Sequence, residues 1–314
     1  MTNIIKTFAP WQIIVAARPI HWTKNLSLFA ALIFGGLLFS RTHLEMVILA
    51  FFAFGFATSA TYIFNDILDA ENDKFHPIKK YRPIASGKLS PLTAGVAVLA
   101  FSLTSIYIAS NLNTLFMLSL TAYLLLQAAY SLGLKNIPTI DILIIATGFI
   151  IRVYSGAFVI DAHLSVWFLL CVISVALFLA AGKRRSELGV VENIGQTRKS
   201  LTKYDRELLN SYVTMFGNAA WMSWALFTFF ESPTAITPLW LILAEISRTT
   251  TISKLLMITI PVVIFGIMRY EALIFSNRSE APEKVLLTDK SLVFSILLWL
   301  ITVVGIFYGG VTAN

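Results

Sequence analysis

The sequence holds one cysteine and four histidines in 314 residues, and only 13% of its residues are charged. A lone cysteine excludes an intrachain disulfide, and we expect Cys171 to be a buried, inert thiol. The scattered histidines exclude a zinc-type cluster of Cys and His side chains. Charge this sparse, with 57% hydrophobic residues, excludes an ordinary soluble domain of this length and indicates a membrane protein.

Other features are missing as well. No low-complexity linker and no soluble-domain stretch interrupts the chain, which favours one integral membrane domain over residues 1–314. No short apolar core is followed by a small-residue cleavage site, so we expect no cleavable signal peptide.

Long apolar runs dominate what is present. About 20 apolar residues cross a bilayer as a helix. Nine runs approach this length, and they predict an all-α membrane protein, a bundle of nine transmembrane helices: 25–41, 44–66, 91–110, 113–132, 138–160, 164–182, 208–230, 255–275 and 290–310. Residues 1–24 are predicted to be an N-terminal interfacial segment, and 236–247 is too short to span.

The basic residues are distributed unevenly between the two sides. If the N-terminus is inside, 20 of the 24 Lys and Arg residues fall in inside segments and three in outside loops. The long charged loops 67–90 and 183–207 then face the cytoplasm and form the mouth of the active site. The net charge of +7 is explained by this topology and by anionic lipid, without nucleic acid.

Polar residues form a stripe where the second run ends. Tyr62, Asn65, Asp66, Asp69 and Asp73 share one face of a helix. Oxygen ligands of this kind suit Mg²⁺, which is usually shared with substrate phosphates. Asn65 and Asp69, one turn apart, are the first choice as ligands, and Asp66 and Asp73 the next. The alternative is a solvated helix end.

Basic residues follow the stripe directly in the sequence. Pro77 and Pro83 end regular structure, and Gly87 allows a tight turn, so Lys79 and Arg82 can fold back over the acids to hold phosphate. For Lys74, Lys80 and Lys88, membrane anchoring is an equal alternative. His76 is expected to be a structural loop residue.

Further cations lie at other boundaries. Arg152 lies inside the fifth run, where a charge is costly, and we favour a phosphate ligand in a polar cavity over a buried ion pair with an acid. Lys24 enters the membrane boundary beside Asn25, as an anchor or a ligand. Lys135 is the only cation of its loop. Residues 183–188 read KRRSEL, with no second aspartate stripe.

These features together resemble the UbiA superfamily of intramembrane prenyltransferases, whose N-D-x-x-D-x-x-x-D motif matches Asn65 to Asp73. Typical members carry a second aspartate-rich motif where this chain has KRRSEL. This departure points to one branch of the superfamily. The sequence resembles the decaprenyl-phosphate phosphoribosyltransferases in the segments RPIHWTKN, YIFNDILDAENDKFHPIKKYRPIASG, YSLGLKN, DILIIATGFIIR and WFLLCVISVALFLAAGKRRSEL.

The resemblance implies phosphoribosyl diphosphate as donor, a polyprenyl phosphate as acceptor, and a bacterial cytoplasmic membrane as location. It implies Mg²⁺ on Asn65 and Asp69, with Asp66, Asp69 and Asp73 in catalytic roles. It further implies donor contacts from Lys24, Tyr62, Lys79, Arg82 and Arg152. Lys135, Lys183 and Arg184 would meet the lipid phosphate or the remaining donor oxygens.

The mechanism we hypothesise needs no general base. The departing diphosphate is neutralised at the Mg²⁺ site, the ribose C1–O bond loosens toward an oxocarbenium ion, and the anionic lipid phosphate attacks from the opposite face. One rival is transfer of an isoprenyl group to an aromatic or other small acceptor, and another is an anion transporter. Chain length of the lipid and homo-oligomerisation stay open.

Overall fold

The structure is a computed structural model that describes residues 9–76, 78–194, 204–231, 250–276, 286 and 288–309. Within these ranges the chain is helical and contains no strand, which confirms the all-α prediction. The helices are α1 (Ala9–Ala17), α2 (Phe29–Phe34), α3 (Arg41–Asp73), α4 (Pro91–Ser110), α5 (Thr114–Leu132), α6 (Ile140–Val159), α7 (Val166–Ile194), α8 (Arg206–Phe230), α9 (Ile260–Phe275) and α10 (Lys290–Tyr308). Short 3₁₀ helices cover Pro19–Leu28, Lys79–Tyr81, Leu134–Asn136 and Thr250–Thr259.

Seven of the described helices are long and apolar enough to cross a membrane: α3, α4, α5, α6, α7, α10 and the segment Lys254–Phe275 that ends in α9. The chain is therefore a multi-span membrane protein, as predicted. The count of nine is not confirmed among the described residues. The short segment 236–247 lies outside them.

The first predicted span, 25–41, is wrong as a continuous helix. The chain leaves the 3₁₀ helix at Leu28 and forms only the six-residue α2. Gly36 then adopts the left-handed conformation (φ 73°), and the backbone N–H of Leu37 donates to the carbonyl of Leu32 at 3.1 Å. This glycine-terminated end closes a helix, so the apolar run is interrupted where two glycines stand together.

Two long helices extend beyond the predicted loop boundaries. The 33 residues of α3 span about 50 Å, more than the thickness of a bilayer core, and they include the whole polar stripe. Helix α7 continues to Ile194, so the first part of the predicted loop 183–207 is helical, and residues 195–203 lie outside the described ranges. Basic residues are good helix formers, and no proline interrupts them.

The chain divides into two compact units, residues 1–163 and 164–314. In the first unit α3 packs against α1, α4, α5 and α6 and against the 3₁₀ helix Pro19–Leu28. In the second, α7 packs against α8, and a buried cluster joins residues of α7, α8, α9 and α10: Phe178, Ala181, Val213, Tyr270, Ile274 and Leu292. A single domain over residues 1–314 stays a prediction.

Candidate active site

The polar stripe lies on the last three turns of α3, in the first unit. Asn65, Asp66, Asp69 and Asp73 follow one another at intervals of one turn or less. The amide nitrogen of Asn65 donates to Asp69 Oδ2 at 3.0 Å. Asp66 and Asp73 are only 2% and 5% exposed, so their charges need partners close by.

Asp66 is held by two arginines. The Nη2 atom of Arg18 lies 2.7 Å from both of its carboxylate oxygens, and Arg82 Nη1 lies 3.0 Å from Oδ1. Arg18 was not among the predicted site residues. Its backbone is left-handed (φ 50°), immediately before Pro19 starts the 3₁₀ helix, and its guanidinium lies 5.1 Å from the ring centre of Tyr62. The only signal in the sequence was an Arg-Pro pair before the first apolar run.

Arg82 does fold back over the stripe, as the loop sequence predicted. Its Nη1 atom donates to Asp73 Oδ2 at 2.6 Å as well as to Asp66. The chain returns through the 3₁₀ turn Lys79–Tyr81, and Gly87 takes the left-handed conformation (φ 75°) before α4 begins. Helix α4 starts at Pro91, where the Ser90 hydroxyl caps it by accepting from the N–H of Thr93 at 3.1 Å.

His76 organises this returning loop. Its Nδ1 atom accepts from the backbone N–H groups of Ile78, at 3.2 Å, and Lys79, at 3.3 Å. Burial lowers the pKa of His76 from its ordinary value, and the nearby charges of Lys79 and Arg82 lower it further. A neutral ring that accepts two backbone donors fits the structural role expected of His76.

Lys135 reaches the other half of the stripe. It lies in the 3₁₀ turn Leu134–Asn136 between α5 and α6 and is 7% exposed. Its ammonium nitrogen is 2.6 Å from Asp69 Oδ1 and 3.1 Å from Asn65 Oδ1. The stripe is therefore divided: arginines hold Asp66 and Asp73, and a lysine holds Asn65 and Asp69.

The pair Asn65 and Asp69 fits a hard cation by its chemistry. Two oxygens one turn apart already converge on one positive group, the ammonium of Lys135. Across the described residues, no three His, Cys, Asp or Glu side chains lie close enough together to hold a metal by themselves. A magnesium ion here would take its remaining ligands from water and from substrate phosphates, as Mg²⁺ usually does in proteins.

The segment before α2 brings Lys24 to the same helix face. Lys24 Nζ donates to the Tyr62 hydroxyl at 3.3 Å, one turn before Asn65. Trp22 anchors this segment: its Nε1 donates to the Ser59 hydroxyl at 3.0 Å, and its ring packs on Gly55, where an added Cβ would lie 2.8 Å from the indole. Lys24 and Tyr62, both predicted as donor contacts, thus lie together.

Arg152 is buried in α6 and is held by neutral groups. Its Nε donates to Asn25 Oδ1 at 2.8 Å, its Nη1 to the Gly148 carbonyl at 2.7 Å, and its Nη2 to the Tyr123 hydroxyl at 2.8 Å. No carboxylate contacts it among the described residues, so the alternative of a buried ion pair with an acid is not what the structure shows. Its role toward phosphate stays a prediction.

Lys183 and Arg184 belong to the second unit, on α7. Arg184 is completely buried and pairs with Glu187 one turn further along the same helix. The next residue, Arg185, donates from Nε to Asn210 Oδ1 on α8 at 2.5 Å. The two arginines are thus engaged within their own unit. The phosphate contacts predicted for Lys183 and Arg184 remain predictions.

Comparisons with known proteins agree on one family. The sequence model of the UbiA prenyltransferase family matches residues 26–183. The chain is 33% identical to the decaprenyl-phosphate phosphoribosyltransferase of Corynebacterium glutamicum, over 94% of this chain and 86% of that protein. It is 31% identical to the protein of the same name from Mycobacterium tuberculosis, over 93% of this chain and 92% of the other.

The fold also matches a solved structure. A UbiA homolog from Archaeoglobus fulgidus, bound to DMAPP and Mg²⁺, superposes with a TM-score of 0.66 over 94% of this chain and 99% of that one. The sequences are 17% identical, so this likeness shows the fold alone.

Proposed function

The chain belongs to the UbiA prenyltransferase family, and from this premise we propose that it transfers a 5-phosphoribosyl group from phosphoribosyl diphosphate to a polyprenyl phosphate. The observation that carries the proposal is the identity of 31–33% with decaprenyl-phosphate phosphoribosyltransferases over at least 86% of their length. The similarity extends along most of the length of both chains.

The charges of the site support this reaction. The donor has a diphosphate and a 5-phosphate, and the acceptor has a further phosphate, so the substrates require many cations. The first unit places Arg18, Arg82 and Lys135 on the acidic stripe, and Lys24 beside Tyr62. A neutral aromatic acceptor would need fewer positive groups.

We assign the two halves of the stripe different tasks. Asn65 and Asp69 would hold Mg²⁺, which when bound supplies positive charge to the leaving diphosphate. Asp66 and Asp73 position Arg18 and Arg82, because buried carboxylates that each accept short charge-assisted bonds fix the guanidinium groups. The Arg82 loop would therefore be held next to the diphosphate.

The reaction balances without a proton transfer. The bond from ribose C1 to the diphosphate oxygen breaks, and the diphosphate leaves with the electron pair. A bond from C1 to an oxygen of the lipid phosphate forms, and that oxygen is already an anion. The protein positions the two substrates and stabilises their charges. Lys24, Tyr62, Lys79, Arg82 and Arg152 would contact the donor, and Lys135, Lys183 and Arg184 the acceptor phosphate or the remaining donor oxygens.

The proposed location is the cytoplasmic membrane of a bacterium, with the active site facing the cytoplasm. The excess of Lys and Arg in the predicted inside segments supports this orientation. Phosphoribosyl diphosphate is a water-soluble donor, so the site must open to the aqueous side where the donor is made, while the polyprenyl chain stays between apolar helices.

The test is a transfer assay with purified protein in nanodiscs. It contains Mg²⁺, ribose-labelled phosphoribosyl diphosphate and a polyprenyl phosphate, and label is counted in the lipid fraction. Asp69→Asn should abolish transfer, whereas Asp161→Asn, the same chemical change at an exposed aspartate outside the site, should not. Absence of label in the lipid would refute the proposal.

Isoprenyl transfer is the second candidate, favoured by the family name. The basic sequence KRRSEL at 183–188 argues against it, because a second diphosphate-binding aspartate stripe is missing there. Labelled isoprenyl diphosphate with an aromatic acceptor distinguishes the two reactions. Flux of phosphorylated metabolites without any covalent product would instead indicate a transporter.

A further inference from the structure

Lys135 occupies the position that the proposed metal needs. Its Nζ atom lies 2.6 Å from Asp69 Oδ1 and 3.1 Å from Asn65 Oδ1, the two oxygens assigned to Mg²⁺. Magnesium binds oxygen at about 2.0–2.1 Å in a strict octahedral arrangement. The ammonium and the metal therefore cannot share this point, and binding of the metal requires the lysine to move.

Each acid of the stripe already has a cationic partner before any substrate binds. Three carboxylates, Asp66, Asp69 and Asp73, form ion pairs with three cations, Arg18, Arg82 and Lys135. A divalent cation therefore adds two positive charges to a cluster whose acids are already paired. A diphosphate that arrives with the metal would offset these charges and would offer the displaced ammonium a new partner.

The three cations differ in how firmly they are held. Arg82 bridges two acids and Arg18 meets both oxygens of one, so each makes more than one bond to a carboxylate. Lys135 makes a single bond to a carboxylate, from a flexible four-carbon stem and a short 3₁₀ turn. Lys135 is thus the cation that can leave with the least disturbance.

We propose that Lys135 is a placeholder: it occupies the Mg²⁺ position on Asn65 and Asp69 in the metal-free protein, and it moves to the substrate diphosphate when the metal binds. This inference rests on the proposed function, because it takes Asn65 and Asp69 as the metal pair. It adds that the metal and the diphosphate assist each other's binding. Metal alone must displace a paired lysine, whereas metal with diphosphate gives that lysine a new ion pair.

The first test measures the binding of Mg²⁺ alone by calorimetry in nanodiscs, without substrate. Lys135→Gln should bind Mg²⁺ about tenfold more tightly than the wild type, within the usual range of coupling between two ligands. Lys135→Arg keeps a cation on Asp69 and should bind like the wild type. The matched control is Lys80→Gln, which removes an exposed lysine whose ammonium lies over the ring of Tyr81, and it too should bind like the wild type.

The second test uses the wild-type protein alone and so does not depend on the folding of a variant. The side chain of Lys135 is 9% exposed and should react slowly with an amine-reactive reagent. On adding Mg²⁺ its modification, measured by mass spectrometry, should rise relative to that of Lys80 in the same sample. An unchanged or lower modification of Lys135 would overturn the placeholder role.

The outcomes separate this inference from the proposed function. If Asp69→Ala abolishes Mg²⁺ binding and the wild type transfers label, but Lys135→Gln binds Mg²⁺ no more tightly, the placeholder role alone is wrong. If Asp69→Ala binds Mg²⁺ as the wild type does, the metal pair is wrong, and the placeholder role falls with it.

Discussion

Removing Arg18 tests the division of the acidic stripe. In Arg18→Ala, the buried carboxylate of Asp66 loses the nitrogen that lies 2.7 Å from both of its oxygens, and only Arg82 remains, at 3.0 Å. Complete loss of the partner of a buried charge costs about 3–5 kcal/mol. Because one arginine remains, we expect a loss of about 2 kcal/mol, close to the value of a hydrogen bond to a charged group.

The assay is reversible denaturant unfolding of the protein in mixed micelles. A loss of about 2 kcal/mol changes the unfolding equilibrium constant roughly 30-fold. Adding Asp66→Asn should restore part of the loss, because the uncompensated charge is then gone. The control is Arg41→Ala, which removes an arginine paired with Glu45 at 2.8 Å but 92% exposed, and should cost about 0–1 kcal/mol. Equal effects of the two arginine variants would refute the assignment of Arg18.

Three further predictions concern the loop, the packing and a helix cap. The pKa of His76 is lowered in the folded protein, so the stability linked to it is present above pH 6.5 and is lost as the pH falls through the folded-state pKa. Between these two pH values, the thermal stability of the wild type should drop more than that of His76→Gln. Gly156→Ala should destabilise the first unit strongly, because an added Cβ would lie 2.1 Å from the carbonyl oxygen of Leu28. Gly266→Ala should be tolerated in the same thermal unfolding assay, because the atom nearest to its added Cβ would lie at 3.5 Å. Asp289→Ala should remove a helix cap worth about 1 kcal/mol, because the carboxylate accepts from the N–H of Leu292 at 2.9 Å, and it also removes the ion pair with Arg269 at 2.7 Å. Asp289→Asn should keep the cap and lose only the charge of that pair, so it should destabilise the protein less than Asp289→Ala.

Local sequence patterns predicted the stripe but not all of its partners. The helical spacing from Asn65 to Asp73 is a property of one segment, and so is the return of Arg82 over it, sixteen residues after Asp66. The contacts of Arg18 and Lys135 join residues 48 and 66 positions apart. Such pairs depend on how helices pack, which periodicity in one segment does not determine.

The errors in helix boundaries have physical causes as well. Hydropathy over 25–41 predicted one span, although the pair Gly35 and Gly36 gives the chain a helix stop after Phe34. The basic residues after Gly182 predict the start of a loop, because charge is rare inside membranes. They are good helix formers, and a helix can leave the apolar region without ending, as α7 does to Ile194.

Arg152 is buried in α6 and has no acidic partner among the described residues. Its position in an apolar helix predicted a polar cavity or a partner acid. The structure shows neutral acceptors in place of an acid: Asn25, Tyr123 and the Gly148 carbonyl, which come from three separate places in the chain. The phosphate ligand stays a prediction. Amide, hydroxyl and backbone groups are too common in sequences to be recognised in advance as partners.

The central claim is that the transferred group is phosphoribosyl, and a competition between two donors tests it most directly. The purified protein receives Mg²⁺, polyprenyl phosphate, an aromatic acceptor, phosphoribosyl diphosphate and an isoprenyl diphosphate together, and the lipid products are identified by mass spectrometry. We predict a polyprenyl phosphate that has gained one phosphoribosyl group, formed by the wild type and not by Asp69→Asn. A prenylated acceptor without any phosphoribosylated lipid would contradict the claim.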